Sequence, residues 1–325
     1  MKCVELFAGA GGAALGLEAA GFEHAALCEW DPHACATLRA AGLGPVVEGD
    51  VRDLDAIEAV AGPSCDLLWS SFPCQAFSMA GKRLGASDER NGWPWTVDAL
   101  NRFRPRWFLA ENVRGLITHS TEGHPDPFQC PRCYFEGVIL PQLRARFAFV
   151  GWWLLDAADY GVPQHRRRVI IWAGPAPVKA PRATHGDPAA ARQGALFGPG
   201  VLPWVTMAEA LGVPSLCCIK TRRLDKGDKG YPGRNDSPVV GPSPTVTTQT
   251  GSSSPWDTSG VGWINDGERR RLTVAEAARL QDFPAGHPWQ GPESRHYMQI
   301  GNAVPPRLAE VVGRAVMQAE RCGHE

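Results

Sequence analysis

The stretch Asp66-Leu-Leu-Trp-Ser-Ser-Phe-Pro-Cys-Gln75 joins an apolar run to a cysteine in a polar, glycine-containing loop. The run Asp66–Ser71 has the length and composition of a buried strand that ends at a turn proline. A cysteine used only for packing belongs inside such a run, whereas Cys74 follows it, where parallel sheets bind ligands. Basic residues come next in the loop, and basic neighbours favour a thiolate. Cys74 is therefore a candidate nucleophile, and a half-buried structural cysteine is the alternative.

Strand-like and helix-like segments alternate through the first half of the chain. Apolar segments at Cys3–Phe7, Ala25–Trp30 and Val46–Glu48 are each followed by a helical pattern, and similar spacing continues to Val169–Ala173. This alternation predicts an α/β fold with a doubly wound, mostly parallel sheet of Rossmann-like type. Ligands of such sheets bind at the carboxyl ends of the strands.

Length and composition are those of an ordinary globular protein. The 325 residues are 44% hydrophobic and 21% charged, the net charge is −1, and ten cysteines are scattered without a framework. These values argue against a disulfide scaffold, and a nucleic-acid partner would have to meet a local basic face. The chain enters a strand-like segment at once and has no apolar run long enough for a bilayer. We therefore expect a cytoplasmic protein with no membrane partner.

The amino-acid composition changes after the first half of the chain. Residues 175–263 are rich in Pro, Gly, Ser and Thr but keep enough large apolar residues for a core. This predicts a small, irregular second domain at 181–263, inserted into a main domain made of 1–180 and 264–325. Within it, residues 220–234 hold six basic side chains against two acidic ones. Such a run is typical of a solvated loop or of a phosphate-contacting face.

A glycine-rich motif follows the first strand-like segment. Residues Phe7–Ala14 fit G-x-G-x-x-A, and Glu29 lies twenty positions beyond Gly9. This is the pattern of dinucleotide-binding loops, in which glycines let the backbone approach the ligand and the acid binds a ribose hydroxyl. S-adenosylmethionine has a ribose but no phosphate, so an aromatic side chain such as Phe7 or Trp30 can replace the helix dipole. A dehydrogenase and an S-adenosylmethionine-dependent enzyme both fit this motif.

Six motifs carry a resemblance to a known family. They are Phe7-Ala-Gly-Ala-Gly-Gly12, Gly49-Asp50-Val51, Phe72-Pro-Cys-Gln75, Glu111-Asn112-Val113, Gln164-His-Arg-Arg-Arg168 and Gln299-Ile-Gly-Asn302-Ala-Val304. In this order they resemble the DNA (cytosine-5)-methyltransferases, apart from 181–263 and a stretch after Leu116. The resemblance implies a catalytic domain with S-adenosylmethionine as cofactor, a target-recognition domain at 181–263, and methyl transfer to C5 of a flipped cytosine.

The chemistry of cytosine explains the residue types in these motifs. C5 is a poor nucleophile, so the ring must be activated by addition at C6, which a Cys74 thiolate can perform. The resemblance implies that Glu111 hydrogen-bonds N3, where negative charge develops. It also implies that Arg166 and Arg168 steady the cytosine O2 and the nearby backbone. Without the resemblance, Glu111 could be a surface acid and 166–168 a solvated charge run.

The resemblance also assigns contacts to the cofactor and to DNA. Trp93 departs from the family pattern, which has an aliphatic residue near this position, and we expect its indole to stack on the adenine. The residues expected at the cofactor are Phe7, Gly9, Gly11, Gly12, Glu29, Trp30, Asp50, Val51, Trp93 and Asn302. Those expected at double-stranded DNA are Gln75, Ser78, Lys82, Arg83, Gln164, Arg222, Arg223, Thr245 and Thr247.

Three other functions were weighed against this one. An RNA cytosine methyltransferase of the same fold would use the same residues. An amino-group DNA methyltransferase would need an Asp/Asn/Ser-Pro-Pro-aromatic loop, which the sequence lacks. A catalytically inactive DNA-binding relative is disfavoured because Cys74, Glu111 and Arg168 are all present. We expect a monomer in a bacterial cell or phage-infected host; neither the target sequence nor a cognate restriction endonuclease can be read from the chain.

Residues 117–135 look like an insertion. Cys130-Pro-Arg-Cys133 is half of a zinc-ribbon signature, and His119 and His124 could complete a site. No second Cys-x-x-Cys follows, so we predict no metal.

Overall fold

The structure is a computed structural model of the 325-residue chain. It describes all residues except 74–90, 119–129, 188–199, 214–216, 222–233, 239–240, 249, 251–260, 262, 267–268 and 323–325. The chain forms two compact units. Unit 1 comprises Met1–Leu155, Arg167–Pro181 and Ala309–Glu325, and unit 2 comprises Asp156–Arg166 and Arg182–Leu308. These units are defined by contacts and not by function, so the recognition role of 181–263 stays a prediction.

A seven-stranded sheet dominates unit 1. Its strands are β1 (Lys2–Leu6), β2 (Glu23–Glu29), β3 (Val46–Glu48), β4 (Leu67–Ser70), β5 (Trp107–Val113), β6 (Phe149–Asp156) and β7 (Arg167–Gly174). Their spatial order is β3-β2-β1-β4-β5-β7-β6. The strands from β3 to β5 pair in parallel, and β7 runs antiparallel to β5. The predicted fold class, a doubly wound and mostly parallel sheet, is confirmed.

The central strands are buried almost throughout. All four residues of β4 are buried, as are six of the seven residues of β5. Parallel strands covered on both faces need apolar side chains at consecutive positions, and this explains the uninterrupted run Leu67-Leu-Trp69. Trp69, Trp107 and Phe108 are fully buried in these strands.

The first helices begin where the sequence signals a start. They are α1 (Gly12–Ala19), α2 (Pro32–Ala40), α3 (Leu54–Ala61) and α4 (Trp93–Phe103). Asp31 caps α2 by accepting hydrogen bonds from the N–H groups of His33 and Ala34, and Asp53 caps α3 in the same way through Ala56. Each cap satisfies backbone donors that have no partner within the helix.

A composite helix covers residues 131–144. It consists of an α-helical turn (Pro131–Tyr134), a π-helical segment (Phe135–Ile139) and a second α-helical segment (Leu140–Arg144). The helix includes residues 131–135, the end of the segment that looks like an insertion in the sequence. Proline at a first helical position is a start signal, because its missing N–H has no partner there in any case.

The C-terminal helix Pro306–Cys322 returns the chain to unit 1 from Ala309 onward. A Cβ on Gly313 would lie 2.9 Å from the Ala20 Cβ and 3.1 Å from Leu17 Cδ2, so this glycine permits close packing against α1. The Glu320 carboxylate accepts a hydrogen bond from the Trp107 indole.

Unit 2 contains short helices and a small sheet. Its helices include Met207–Leu211, Val274–Leu280 and Glu293–Asn302, and its sheet has the order Arg234–Pro238, Cys217–Thr221, Trp263–Asn265, Arg269–Arg271. The first two helices begin with capping boxes, Thr206 with Glu209 and Thr273 with Glu276. Among the described residues, no helix combines the length and apolar character needed to cross a lipid bilayer.

Candidate active site

The carboxyl ends of neighbouring parallel strands bring several motifs to one edge of the sheet. Phe7 follows β1, Glu29 ends β2, and Phe72 and Pro73 follow β4. Glu111 lies near the end of β5, which pairs with β4. Ligands of such sheets bind at this edge. Cys74 itself lies outside the described residues; Phe72 and Pro73, which precede it in the chain, lie at this edge.

The glycine-rich loop turns in the left-handed region of backbone space. Gly9 has φ +56° and Gly11 has φ +86°, values that glycine adopts without strain. A Cβ on Gly9 would meet nothing within 4 Å, whereas one on Gly11 would clash with Leu38 and Leu43. Gly11 thus serves packing, and Gly9 leaves an open backbone that a ligand can approach.

Glu29 is held by three backbone donors. One carboxylate oxygen, Oε1, accepts from Trp30 N at 3.0 Å and Asp31 N at 2.9 Å, and Oε2 accepts from Gly9 N at 2.8 Å. Burial raises the pKa of Glu29, and the three N–H donors act against that shift. A carboxylate offers roughly four lone-pair positions, so Oε2 keeps one for a further donor such as a ribose hydroxyl.

The loop after β3 brings a second carboxylate. Asp50 binds the Arg52 guanidinium with both oxygens, at 2.9 Å (Nε to Oδ1) and 2.5 Å (Nη2 to Oδ2), and this pairing lowers the pKa of Asp50. Val51 is buried, whereas Trp30 is 79% exposed. An adenine amino group near Asp50 would therefore have to share that carboxylate with Arg52.

The structure places Trp93 inside the core. Its side chain is 1% exposed and packs edge-to-face against Phe72 and Phe108, with ring centroids 5.4 and 6.2 Å apart. Two positions further along α4, Trp95 stacks on Phe7 at 6.4 Å, and the Arg52 guanidinium lies over it at 5.1 Å. Residues two apart on a helix point about 200° apart. Because α4 begins at Trp93, the Trp93 side chain faces the core and the Trp95 side chain faces Phe7.

Glu111 and Arg168 form an ion pair across two antiparallel strands. In the β5–β7 register Glu111 lies opposite Ile170, so Arg168 is its diagonal neighbour on the same face. The Arg168 Nε is 2.6 Å from Glu111 Oε1, and the two side chains are 12% and 11% exposed. The next residue, Asn112, donates a hydrogen bond from its side-chain amide to the Phe72 carbonyl at 3.0 Å. These contacts place the acid–arginine pair beside the strand end that leads to Cys74.

Arg166 and Gln164, predicted at the cytosine and at DNA, are buried within unit 2. Arg166 is 2% exposed and donates to the carbonyls of Val246 at 2.9 Å and Gly301 at 2.8 Å. Gln164 is fully buried, accepts from Val246 N and donates to the Leu280 carbonyl. Both side chains hold backbone segments of unit 2 in place.

The segment fixed by these two residues contains further predicted contacts. Thr245 donates its hydroxyl to the His165 carbonyl at 2.8 Å, and Thr247 is partly exposed. A Cβ on Gly301 would overlap the backbone of Thr247 and Thr248, which explains the glycine of the Gly-Asn motif. Asn302 is exposed at the end of its helix.

Several predicted residues lie outside the described part of the chain. They are Cys74, Gln75, Ser78, Lys82, Arg83, Arg222, Arg223, His119 and His124. Within the described part, no group of three or more His, Cys, Asp or Glu side chains is arranged to hold a metal ion. The hydrogen bond between the Cys130 and Cys133 thiols raises the pKa of Cys133.

The doubly wound sheet, the glycine-rich loop and the acid at the end of β2 are those of enzymes that bind a nucleoside-containing cofactor, which include the S-adenosylmethionine-dependent methyltransferases. The family model described as C-5 cytosine-specific DNA methylase matches residues 1–180 and 218–318. The chain belongs to this family, whose members use S-adenosylmethionine as methyl donor to modify C5 of cytosine in DNA. Membership excludes the dehydrogenase alternative.

Individual relatives agree with this assignment. The type II methyltransferase M.NgoMIV of Neisseria gonorrhoeae is 34% identical, with 97% of each chain covered. M.NaeI of Lentzea aerocolonigenes is 31% identical over 98% of this chain and 75% of its own length. Among solved structures, the S. pombe Dnmt2 methyltransferase aligns over 100% of both chains with a TM-score of 0.63 at 17% identity. The structural likeness concerns the fold, and the sequence relatives carry the family.

Proposed function

We propose that this protein transfers the methyl group of S-adenosylmethionine to C5 of a cytosine flipped out of a short duplex DNA site, through a covalent bond between Cys74 and C6. The observation that supports this most is the Glu111–Arg168 pair beside the strand end that leads to Cys74. It combines an acid, a fixed cation and a nucleophile position at one sheet edge. Membership of the family supplies the substrate class.

The residues have complementary tasks in this proposal. The Cys74 sulfur bonds to C6, and the electron pair released into the ring raises the nucleophilicity of C5 and the negative charge at N3. Glu111, protonated on the oxygen that Arg168 does not hold, donates a hydrogen bond at N3, and the Arg168 guanidinium balances charge at O2 while it orients Glu111. The cofactor supplies an electrophilic methyl group. A water molecule then takes the C5 proton, the electron pair of that C–H bond re-forms the C5–C6 double bond, and Cys74 leaves C6 as a thiolate.

The proposed cofactor contacts of unit 1 lie at the same sheet edge. We propose that Glu29 binds the ribose through Oε2, that the Gly9 backbone and Phe7 line the site, and that exposed Trp30 covers the adenine. Asp50 and Val51, after β3, are further proposed contacts, and the contact of Asn302, which belongs to unit 2, is proposed on the family resemblance alone. Trp95 replaces Trp93 as the proposed additional aromatic contact, because Trp95 lies on Phe7 and Trp93 is enclosed in the core.

Replacing Glu29 with alanine is expected to weaken cofactor binding. The change removes a charge-assisted hydrogen bond and leaves three backbone N–H groups without their acceptor, so we expect a loss of about 1.5–3 kcal/mol. Isothermal titration calorimetry with S-adenosylhomocysteine measures it. Glu48→Ala is the matched control, because Glu48 ends the adjacent strand β3 with its side chain 41% exposed. Unchanged affinity in Glu29→Ala would refute the ribose contact.

Sequence specificity is assigned to residues 181–263. A nearly neutral protein must concentrate its DNA contacts, and 220–234 is a dense basic run in this region. Arg222, Arg223, Thr245 and Thr247 are the proposed contacts, with arginine reading guanine in the major groove or binding phosphates. Gln164 and Arg166 act on this region from within unit 2 by fixing the backbone around Val246.

Exchanging residues 181–263 with those of a relative of different specificity is expected to move the methylated motif with the exchanged segment. Bisulfite sequencing of DNA from cells that express the chimera identifies the motif, and the two parent enzymes are the controls. If the motif stays with residues 1–180 and 264–325, the assignment of specificity is wrong.

A methyl-transfer assay with two competing substrates distinguishes DNA from RNA as the methyl acceptor. Duplex DNA and tRNA are offered in competition with labelled S-adenosylmethionine, and we expect label in DNA. Label in tRNA alone would favour the RNA methyltransferase. The monomeric state and the cytoplasmic location stay predictions.

A further inference from the structure

The helix at 131–144 contains an uncommon turn between two regular ones. Residues Phe135–Ile139 are π-helical, whereas Pro131–Tyr134 and Leu140–Arg144 are α-helical. A π-turn inserts an extra residue into an α-helix, and such insertions are frequent at functional sites. The motifs of the family do not account for this segment.

Two polar side chains of this helix hold the start of α4. The Asn91 side-chain amide donates to the Tyr134 hydroxyl at 2.9 Å, and the Trp93 indole N–H donates to Gln142 Oε1 at 2.8 Å. Asn91 is 4% exposed and Trp93 is 1% exposed; the Asn91–Tyr134 bond is buried, and the Trp93–Gln142 bond is partly buried. Asn91 also accepts from the backbone N–H of Trp93, which joins the two contacts into one network.

The π-turn explains how both partners reach α4. Two turns of an α-helix take about seven residues, so positions seven apart share a face. Tyr134 and Gln142 are eight apart. The residue added by the π-turn restores their common face, and a regular helix would rotate one of them away.

The described residues on either side of the segment 74–90 pack against each other, close to Asn91 and Trp93. A Cβ on Gly92 would lie 2.6 Å from Pro73 Cδ and 3.2 Å from Phe72 Cβ, so the downstream end packs directly on the upstream end. Phe72 also contacts the Trp93 ring. The position of Pro73, which precedes Cys74, therefore depends on where Asn91 and Trp93 are held.

We propose that Tyr134 and Gln142 are positioning residues for Cys74: they lock the paired ends of the segment that carries the nucleophile, and the π-turn sets their spacing. This inference rests on the proposed role of Cys74.

The test measures the nucleophilic step apart from cofactor binding. Tyr134→Phe and Gln142→Leu remove the two acceptors, and the rate of covalent adduct formation with 5-fluorocytosine duplex DNA is followed in a single turnover. We expect each rate to fall about tenfold or more, since small misplacement of a reacting group is costly. The affinity for S-adenosylhomocysteine and the melting temperature should stay close to those of the wild type. Gln142→Glu keeps the acceptor oxygen and should restore most of the rate.

A deletion tests the eight-residue spacing between Tyr134 and Gln142, and a substitution at the same position is its control. Deletion of Gly137 returns Tyr134 and Gln142 to a seven-residue spacing and should slow adduct formation. Gly137→Ala should not, because a Cβ there meets nothing within 4 Å. Wild-type adduct rates in both Tyr134→Phe and Gln142→Leu would overturn the inference, as would a slow rate accompanied by lost cofactor binding and stability. If the active wild type forms no adduct, the proposed role of Cys74 fails first, and this inference fails with it.

Discussion

Replacing Cys74 with serine or alanine is expected to abolish methyl transfer. Without a thiolate no bond to C6 forms, and C5 keeps the low nucleophilicity of an intact cytosine. The affinity for S-adenosylhomocysteine should change little, because the proposed cofactor contacts of unit 1 lie at the ends of β1, β2 and β3, whereas Cys74 follows β4. Transfer of labelled methyl groups to duplex DNA measures the first effect and calorimetry the second.

The same residue predicts a trapped complex. DNA with 5-fluorocytosine at the target should remain covalently bound to the wild type after methyl transfer, because fluorine cannot leave C5 as a proton. The Cys74 variants should give no such complex in denaturing gels. Cys322→Ser, which changes an exposed cysteine of the C-terminal helix, is the control and should be trapped like the wild type. An active wild-type enzyme that forms no adduct would rule out the covalent route.

Replacing Glu111 with glutamine is expected to lower kcat by about 10²–10⁴-fold, the usual contribution of a positioned acid. The amide keeps the shape of the side chain and can still accept from Arg168, but it cannot place an acidic proton at N3. Arg168→Ala is less suitable, since it leaves Glu111 buried without its cation, a change that costs roughly 3–5 kcal/mol of stability. Steady-state kinetics with saturating DNA and cofactor measures the effect.

The control for Glu111→Gln is Glu310→Gln. Glu310 pairs with Arg314 one turn further along the C-terminal helix, where Arg314 is mostly exposed. Both variants lose a carboxylate that pairs with an arginine, but only Glu111 lies at the sheet edge beside Phe72. A Glu111→Gln enzyme with a kcat within twofold of the wild type would show that N3 is stabilised by another group.

Some features of the protein could be predicted because they are encoded locally. The alternation of apolar segments and helical patterns predicts a doubly wound sheet, and the bounds of β3 at Val46–Glu48 agree with the structure. Asp31 and Asp53 are local caps, since each bonds to N–H groups two or three residues away. Helix Glu293–Asn302 was not predicted, because no side chain caps its start after Pro292.

Other features depend on contacts between distant parts of the chain. The family resemblance implied that Arg166 contacts the cytosine and Gln164 contacts DNA, and these roles stay predictions; in the structure both side chains bond to the backbone near Val246. Nothing in a run of polar residues indicates which of them points inward, because that depends on the segment that packs against them. The sequence likewise does not indicate which of Trp93 and Trp95 is buried; they point in different directions because they lie two positions apart in the first turn of α4.

Local patterns in the sequence were sufficient to predict the class of fold and the order of the motifs, since strand and helix periodicity and turn residues act over a few positions. The same is true of the residue types that the chemistry needs, which are one thiol, one acid and the arginines. The antiparallel pairing of β7 with β5 is visible only in the folded chain, and it brings Arg168 to Glu111 across 57 positions of sequence. Strand register is set by long-range pairing and burial, which no local pattern specifies.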